Sequence, residues 1–208
     1  LDLCGEKNFC LIYIMFFFKK NISPSKKDLI ERAFDPKNNI IDILFLFPPT
    51  SIGNYSHRYG KEDLGDLKGD LIPLGIAALA AYLRQNNFGV GALDCVALNI
   101  SHDEIIDIIK KKKPKSVAIS ATTYALPAST KLSERLRKEF PDLLIILGGS
   151  HANVAGMDAA KNIPSVDIVC FHPEGETVVL QIIKEFKKTE YDRKTFTQNV
   201  ETLKKIKG

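Results

Sequence analysis

Four cysteines, Cys4, Cys10, Cys95 and Cys170, occur in the 208 residues, and none stands in Cys-x-x-Cys or other metal-ligand spacing to another. That excludes a zinc site built on paired thiolates and leaves reduced thiols, as expected of a cytoplasmic protein. A Cys-x3-Cys-x2-Cys run is missing too, so these residues offer no iron–sulfur ligand set of that kind. There is no Walker loop, no HExxH and no Ser-His-Asp order, and catalysis by this chain alone is not expected. No Gly-x-Gly-x-x-Gly follows the first predicted strand, which disfavours dinucleotides, and no acidic pair follows it, which disfavours a receiver-type domain.

Long apolar runs are also scarce. Residues 9–18 are apolar and precede Lys19 and Lys20, but ten residues are too few to span a bilayer as a helix. A secretory signal would carry its basic residues ahead of the run and small residues after it, and neither is present. With the first Met at Met15, this stretch reads either as a packing arm or as an artefact of where the sequence starts, and no membrane association is expected. Charge of one sign is concentrated rather than abundant. The formal net charge is +4, and residues 184–208 carry eight Lys or Arg against four Asp or Glu, which matches the whole excess. The near-neutral remainder argues against a nucleic-acid groove. The four lysines at 110–113 close a predicted helix, where cations complement the helix dipole and are solvated.

What is present is an alternation of short Ile/Val/Leu-rich runs with amphipathic stretches of helical length. Strands are expected at 40–47, 89–93, 116–120, 143–147 and 166–171, and helices at 73–86, 102–112, 127–140, about 155–162 and 176–188. Such βαβ repetition makes a parallel sheet, and near-continuous apolar strands suit a sheet covered on both faces. Ligands of such sheets bind at the carboxyl ends of the strands, where the strand order reverses. The loops expected there span 48–72, 121–126, 148–154 and 172–176. The first of these, about 25 residues where 2–6 is usual, reads as a flap over the sheet edge.

Five motifs fall in order at these strand ends. They are Pro48-Pro49; Pro73-Leu74-Gly75 with Ala80-Ala81-Tyr82-Leu83-Arg84; Ser120-Ala121-Thr122-Thr123; Gly148-Gly149-Ser150-His151; and Glu174-Gly175-Glu176. Together, over residues 40–188, they resemble the N-terminal cobalamin-binding domain of cobalamin-dependent radical S-adenosylmethionine enzymes. The resemblance implies a flavodoxin-like, Rossmann-like doubly wound sheet of five parallel strands in the order 2-1-3-4-5, with a corrinoid held over its carboxyl edge. It implies that Ser120, Thr122 and Thr123 hydrogen-bond the nucleotide tail or its phosphate, and that Gly148 and Gly149 leave room for it. Glu174 and Glu176, flanking Gly175 at the opening of the last helix, accept bonds from corrin amides, and His151 bonds loop backbone or a corrin side chain. Pro48 and Pro49 complete the cofactor-binding set. A bulky residue at Gly149 is expected to abolish corrinoid binding and leave the fold intact.

Two departures from the family pattern matter. Pro173 replaces the first glycine of the usual Gly-Glu-Gly-Glu, which removes a backbone N–H. Cobalamin-dependent mutases and methionine synthase set a histidine under cobalt within Asp-x-His-x-x-Gly, whereas this chain has Tyr55-Ser56-His57-Arg58-Tyr59-Gly60, with Tyr55 where the orienting Asp would stand. His57 therefore reads as an accidental half-match, and no protein histidine is expected beneath cobalt. His102 and His172 read as surface histidines.

The organisation implied is an extension over 1–39, a cobalamin-binding domain over 40–188, and at 189–208 a basic tail or linker start. That linker would lead to a downstream radical domain holding the iron–sulfur cluster and S-adenosylmethionine and carrying out methyl transfer or a rearrangement. The other reading left open is an α/β scaffold that binds another nucleotide-like ligand, such as a flavin, or serves protein interaction.

Overall fold

Apolar residues in near-continuous runs of five leave a strand no face to turn to water, so these runs must be buried between two helical layers. The computed structural model describes residues 24–36, 38–49, 73–171 and 174–206. It contains strands β1 (Ile43–Phe47), β2 (Val90–Asp94), β3 (Ser116–Ser120), β4 (Leu144–Gly148) and β5 (Ile168–Val169). All pairs are parallel and the order is β2-β1-β3-β4-β5. Leu44 lies opposite Val117 and Leu46 opposite Ile119, while Val117 and Ile119 lie opposite Ile145 and Leu147.

This register makes two cores by simple alternation. Leu44, Leu46, Val117, Ile119, Ile145 and Leu147 face α3 (His102–Lys112), α4 (Leu126–Glu139) and the Ala159 side of α5 (Ser150–Asn162). Ile43, Phe45, Val90, Ala118, Leu144 and Ile146 face α2 (Leu74–Gln85) and α6 (Gly175–Lys188). Most of these side chains are fully buried, each contributing about 1.5–3 kcal/mol over an exposed position.

Helix ends follow their chemistry. Ser101 and Glu104 form a reciprocal capping box at the start of α3, and Lys113 ends that helix in the left-handed region. The lysines of its last turn are paired rather than gathered into an anion site. Lys110 meets Glu139 at 3.5 Å, and Lys111 and Lys112 both meet Glu31. Glu31 lies on α1 (Lys26–Arg32), a helix that the sequence pattern did not announce, and the two ammonium groups hold its carboxyl down to about 2.

After α1 the chain lies along β2. Phe34 bridges antiparallel to Gly91, Ala92 N–H donates to Ala33 O at 3.0 Å, and Asp35 N–H donates to Val90 O at 3.1 Å. At the other end, α7 (Arg193–Gln198) and α8 (Val200–Lys205) follow α6, and Phe196 is fully buried beside Phe186. Two buried carboxylates fasten this segment to the amino edge of the sheet. Asp42 accepts from Gly89 N–H at 2.6 Å and from Tyr191 O–H. Asp167 accepts from Arg137 at 2.6 Å, from Arg193 at 2.7 Å and from Ile145 N–H at 2.9 Å.

Some element bounds differ from the sequence pattern. β1 begins at Ile43 because Asp42 is committed to Gly89, and β5 is two residues long instead of six. Ladder bonds nonetheless flank β5, from Asp167 N–H to Ile145 O and from Cys170 N–H to Leu147 O. The largest difference is α5, expected near residue 155, which starts at Ser150 and kinks at Ala155.

Candidate functional site

The order 2-1-3 makes β1 and β3 send their following segments to opposite faces, so a crevice opens between their carboxyl ends. Pro48 and Pro49 leave β1 on one side of it, and Ser120 through Thr123 leave β3 on the other. The β4 end, Gly148 and Gly149, adjoins β3 directly, since Ser120 lies opposite Gly148. Glu174, Gly175 and Glu176 open α6, which packs beside α2, the helix that starts at Leu74. The described site residues are thus gathered at one edge from four segments distant in sequence.

The β3 and β4 ends are tied to each other. Ala121 N–H donates to Gly148 O at 2.8 Å, and His151 N–H donates to Ala121 O at 3.0 Å. Gly149 turns the chain from strand to helix in one step, at φ 97° and ψ −178°. A Cβ there would stand 2.7 Å from Ala121 O, 2.8 Å from Ala121 N and 3.0 Å from Ser120 Oγ. Gly149 is therefore required by the fold itself, which corrects the expectation that a bulky replacement would leave the fold intact. This one-residue turn also removes the loop expected over 148–154 and puts His151 in the first turn of α5.

Gly148 behaves differently. A Cβ on it would make only ordinary contacts, at 3.9 Å from Cys170 Cβ and O. Among the described residues, one on Gly75 would meet nothing within 4 Å, and one on Gly175 only Leu79 Cδ2 at 3.9 Å. Three glycines around the carboxyl edge are thus not demanded by packing among the described residues, and each leaves room for further atoms.

Side-chain chemistry at the described part of this edge is polar. Thr122 Oγ1 accepts from Ala125 N–H at 3.1 Å and shapes the turn into α4, so part of its bonding capacity serves the fold. Thr123 Oγ1 and His151 Nδ1 are 3.2 Å apart. Glu174 caps α6 through its backbone, its carbonyl accepting from Thr177 Oγ1 at 3.1 Å, and Glu176 lies in the first turn, where a carboxylate suits the dipole. Cys170, beyond β5, has its thiol pushed up to about 12 by burial, and burial raises the Cys95 thiol as well, so both stay protonated at neutral pH. No His/Cys/Asp/Glu cluster suited to a metal ion occurs among the described residues. His57, His172 and Pro173 lie outside them. His102 opens α3 with its pKa lowered by burial and by Arg135 nearby.

Sequence reasoning missed two kinds of residue at this edge. Asp94, ending β2, accepts from Val96 and Ala97 N–H at 3.0 and 2.9 Å, and burial raises its pKa against those bonds. Leu74 and Phe171 are exposed apolar side chains, the latter lying over Gly156, where a Cβ would come within 2.5 Å of it. A glycine inside an amphipathic run was the available signal for that contact.

A family model described as the B12 binding domain matches residues 61–182, more than half of the chain. The chain belongs to the B12-binding domain family. The match runs from the segment ahead of α2 into α6, taking in the β3 and β4 ends and Glu174. Among curated proteins, the anaerobic magnesium-protoporphyrin IX monomethyl ester cyclase of Rubrivivax gelatinosus is 28% identical over 142 residues, covering 68% of this chain and 24% of that protein. The Synechocystis protein of the same description is 29% identical over 144 residues, covering 68% and 27%. An uncharacterized methyltransferase of Pyrococcus horikoshii is 28% identical over 116 residues, covering 56% and 25%. The chain spans about a quarter of the length of these relatives. The fold expected from the motifs, with its strand order, is the one observed. No described helix is long and apolar enough to cross a membrane.

Proposed function

We propose that this chain binds cobalamin at the carboxyl edge of its sheet and presents the corrinoid to a radical S-adenosylmethionine catalytic domain. The observation that carries this reading is the B12-binding match over a sheet edge where Gly148 ends a strand, Gly75 and Gly175 open helices, and each leaves space that no described residue fills. A fold gains nothing from Gly148 at the end of a buried strand, where glycine has no side chain to pack, whereas a ligand passing close to backbone does. The residues fit the group: Ser120 and Thr123 offer hydroxyls, Gly148 gives access, and Glu174 and Glu176 stand where corrin amides could donate. Thr122 contributes through whatever bonding its turn leaves available.

When bound, the corrinoid supplies a cobalt–carbon bond that is made and broken, serving methyl transfer or a rearrangement, while the protein supplies position and surroundings. The chain's own part is steric and polar. Its β3 and β4 ends are tied together by the Ala121 bonds, which fix the backbones that carry the hydroxyls and the open glycine relative to each other. That the matched segment covers only about a quarter of each relative supports a further domain as the partner, carrying the iron–sulfur cluster and S-adenosylmethionine.

The test is retention of colour. The purified chain is incubated with hydroxocobalamin, freed of unbound ligand by gel filtration, and its visible spectrum recorded. Retained corrinoid with a base-off spectrum is expected. A folded chain that elutes colourless, or one that retains flavin instead, would overturn the reading.

A further inference from the structure

Resting on the cobalamin reading, we propose that His151 recognises a carboxamide on the rim of the corrin ring, and that Thr123 is the positioning residue that fixes its imidazole. The His151 backbone is held by its N–H to Ala121 O at 3.0 Å, and Ala121 is in turn held to Gly148 O at 2.8 Å. Thr123 follows two residues later in the same loop, whose turn is closed by Ala125 N–H on Thr122 Oγ1. The 3.2 Å contact of Thr123 Oγ1 with Nδ1 therefore joins two rigidly related backbones, and it decides which ring nitrogen remains available. Among the described residues nothing takes Nε2.

The ligand chemistry follows from the pair. A hydroxyl both donates and accepts, so Thr123 satisfies Nδ1 in either neutral tautomer, and Nε2 is then a donor in one and an acceptor in the other. A carboxamide carries both an N–H2 and a C=O and matches either state. A phosphodiester only accepts and matches one of them. Rim carboxamides belong to the macrocycle and the phosphodiester to the nucleotide loop, so the two sources can be separated with a corrinoid that lacks the loop.

The experiment titrates the full chain with hydroxocobalamin and with cobinamide, which keeps the ring carboxamides but has no nucleotide loop, and follows binding by visible absorbance. His151→Ala should weaken both ligands about fivefold to tenfold, the size of one hydrogen bond. Thr123→Val should show a smaller loss in both, and Thr123→Ser should restore wild-type affinity. In the wild type, the imidazole nitrogen resonances of 15N-labelled His151 should shift on adding cobinamide, and at saturation they should shift less in T123V. Both side chains lie outside the two cores, so circular dichroism and melting should be unchanged. Weakening of hydroxocobalamin alone would move the contact to the nucleotide loop and overturn the proposal, as would unchanged affinity in H151A with a wild type that binds. A wild type that binds neither corrinoid would overturn the cobalamin reading itself, and this proposal with it.

Discussion

A single methyl group separates the two glycines at the end of β4. At Gly149 the backbone sits at φ 97°, ψ −178°, a region that costs a residue with a Cβ about 1–3 kcal/mol. The added carbon would also lie 2.7 and 2.8 Å from Ala121 O and N, the atoms that bond His151 N–H and Gly148 O. Relief requires moving that peptide, which weakens two backbone bonds worth about 0.5–1.5 kcal/mol each. Gly149→Ala should therefore lose about 2–6 kcal/mol. Gly148→Ala meets nothing nearer than 3.9 Å and should stay within about 0.5 kcal/mol of the parent. Urea titrations with linear extrapolation read both values. The pair also separates fold from function, because G148A places its methyl where the ligand is proposed to pass and should lose corrinoid retention while keeping its stability. Wild-type stability in G149A would refute the steric reasoning, and wild-type retention in G148A would refute the close approach.

Tyr191→Phe removes a donor to buried Asp42, which keeps its bond from Gly89, and should cost about 1–3 kcal/mol by denaturant titration. Burial, then the Asp42 bond, raises the Tyr191 pKa above the ordinary tyrosine value of 10.0, so its contribution is whole below that pH and is lost as the pH climbs through the raised folded-state value. The gap in stability between wild type and Y191F should accordingly narrow at high pH, and a constant gap would show that the bond is not formed. Asp167→Ala leaves Arg137 and Arg193 without their shared, nearly buried carboxylate and should cost about 3–5 kcal/mol, seen as a lower melting temperature. The Cys170 thiol, pushed up to about 12, should alkylate at pH 8 much more slowly than a free cysteine, as read by peptide mapping of the labelled chain.

The sheet was legible because its strands are buried on both faces. Runs such as Leu144–Gly148 cannot be read as anything half-exposed, and the helix after Ser101 carries its own capping signal. The short helices were not. Lys26–Arg32 has no fully buried residue and holds its place through Glu31 pairing with lysines eighty positions away, a relation no local pattern carries. At the candidate site the residue types were readable but their division of labour was not. Gly148 and Gly149 are identical letters, yet the second supplies a backbone conformation and the first leaves space, and the turn at φ 97° together with the position of Ala121 tells them apart. Thr122 and Thr123 divide likewise between a turn and a histidine.

The strip of backbone at Ala33, Phe34 and Asp35 has a consequence for solution behaviour. β2 is an outer strand of an all-parallel sheet, and such an edge invites pairing with another molecule. Here its hydrogen-bonding groups at Val90 and Ala92 are taken by Asp35 and Ala33, and the Phe34 ring fills the hollow over Gly91 beneath the Lys112 ammonium, 4.7 Å from the ring centroid. A version trimmed to residue 40, where the alternating pattern begins, would bare that edge and that hollow together. It should self-associate, and light scattering of the trimmed and untrimmed chains at equal concentration would show whether this short segment keeps the protein monodisperse.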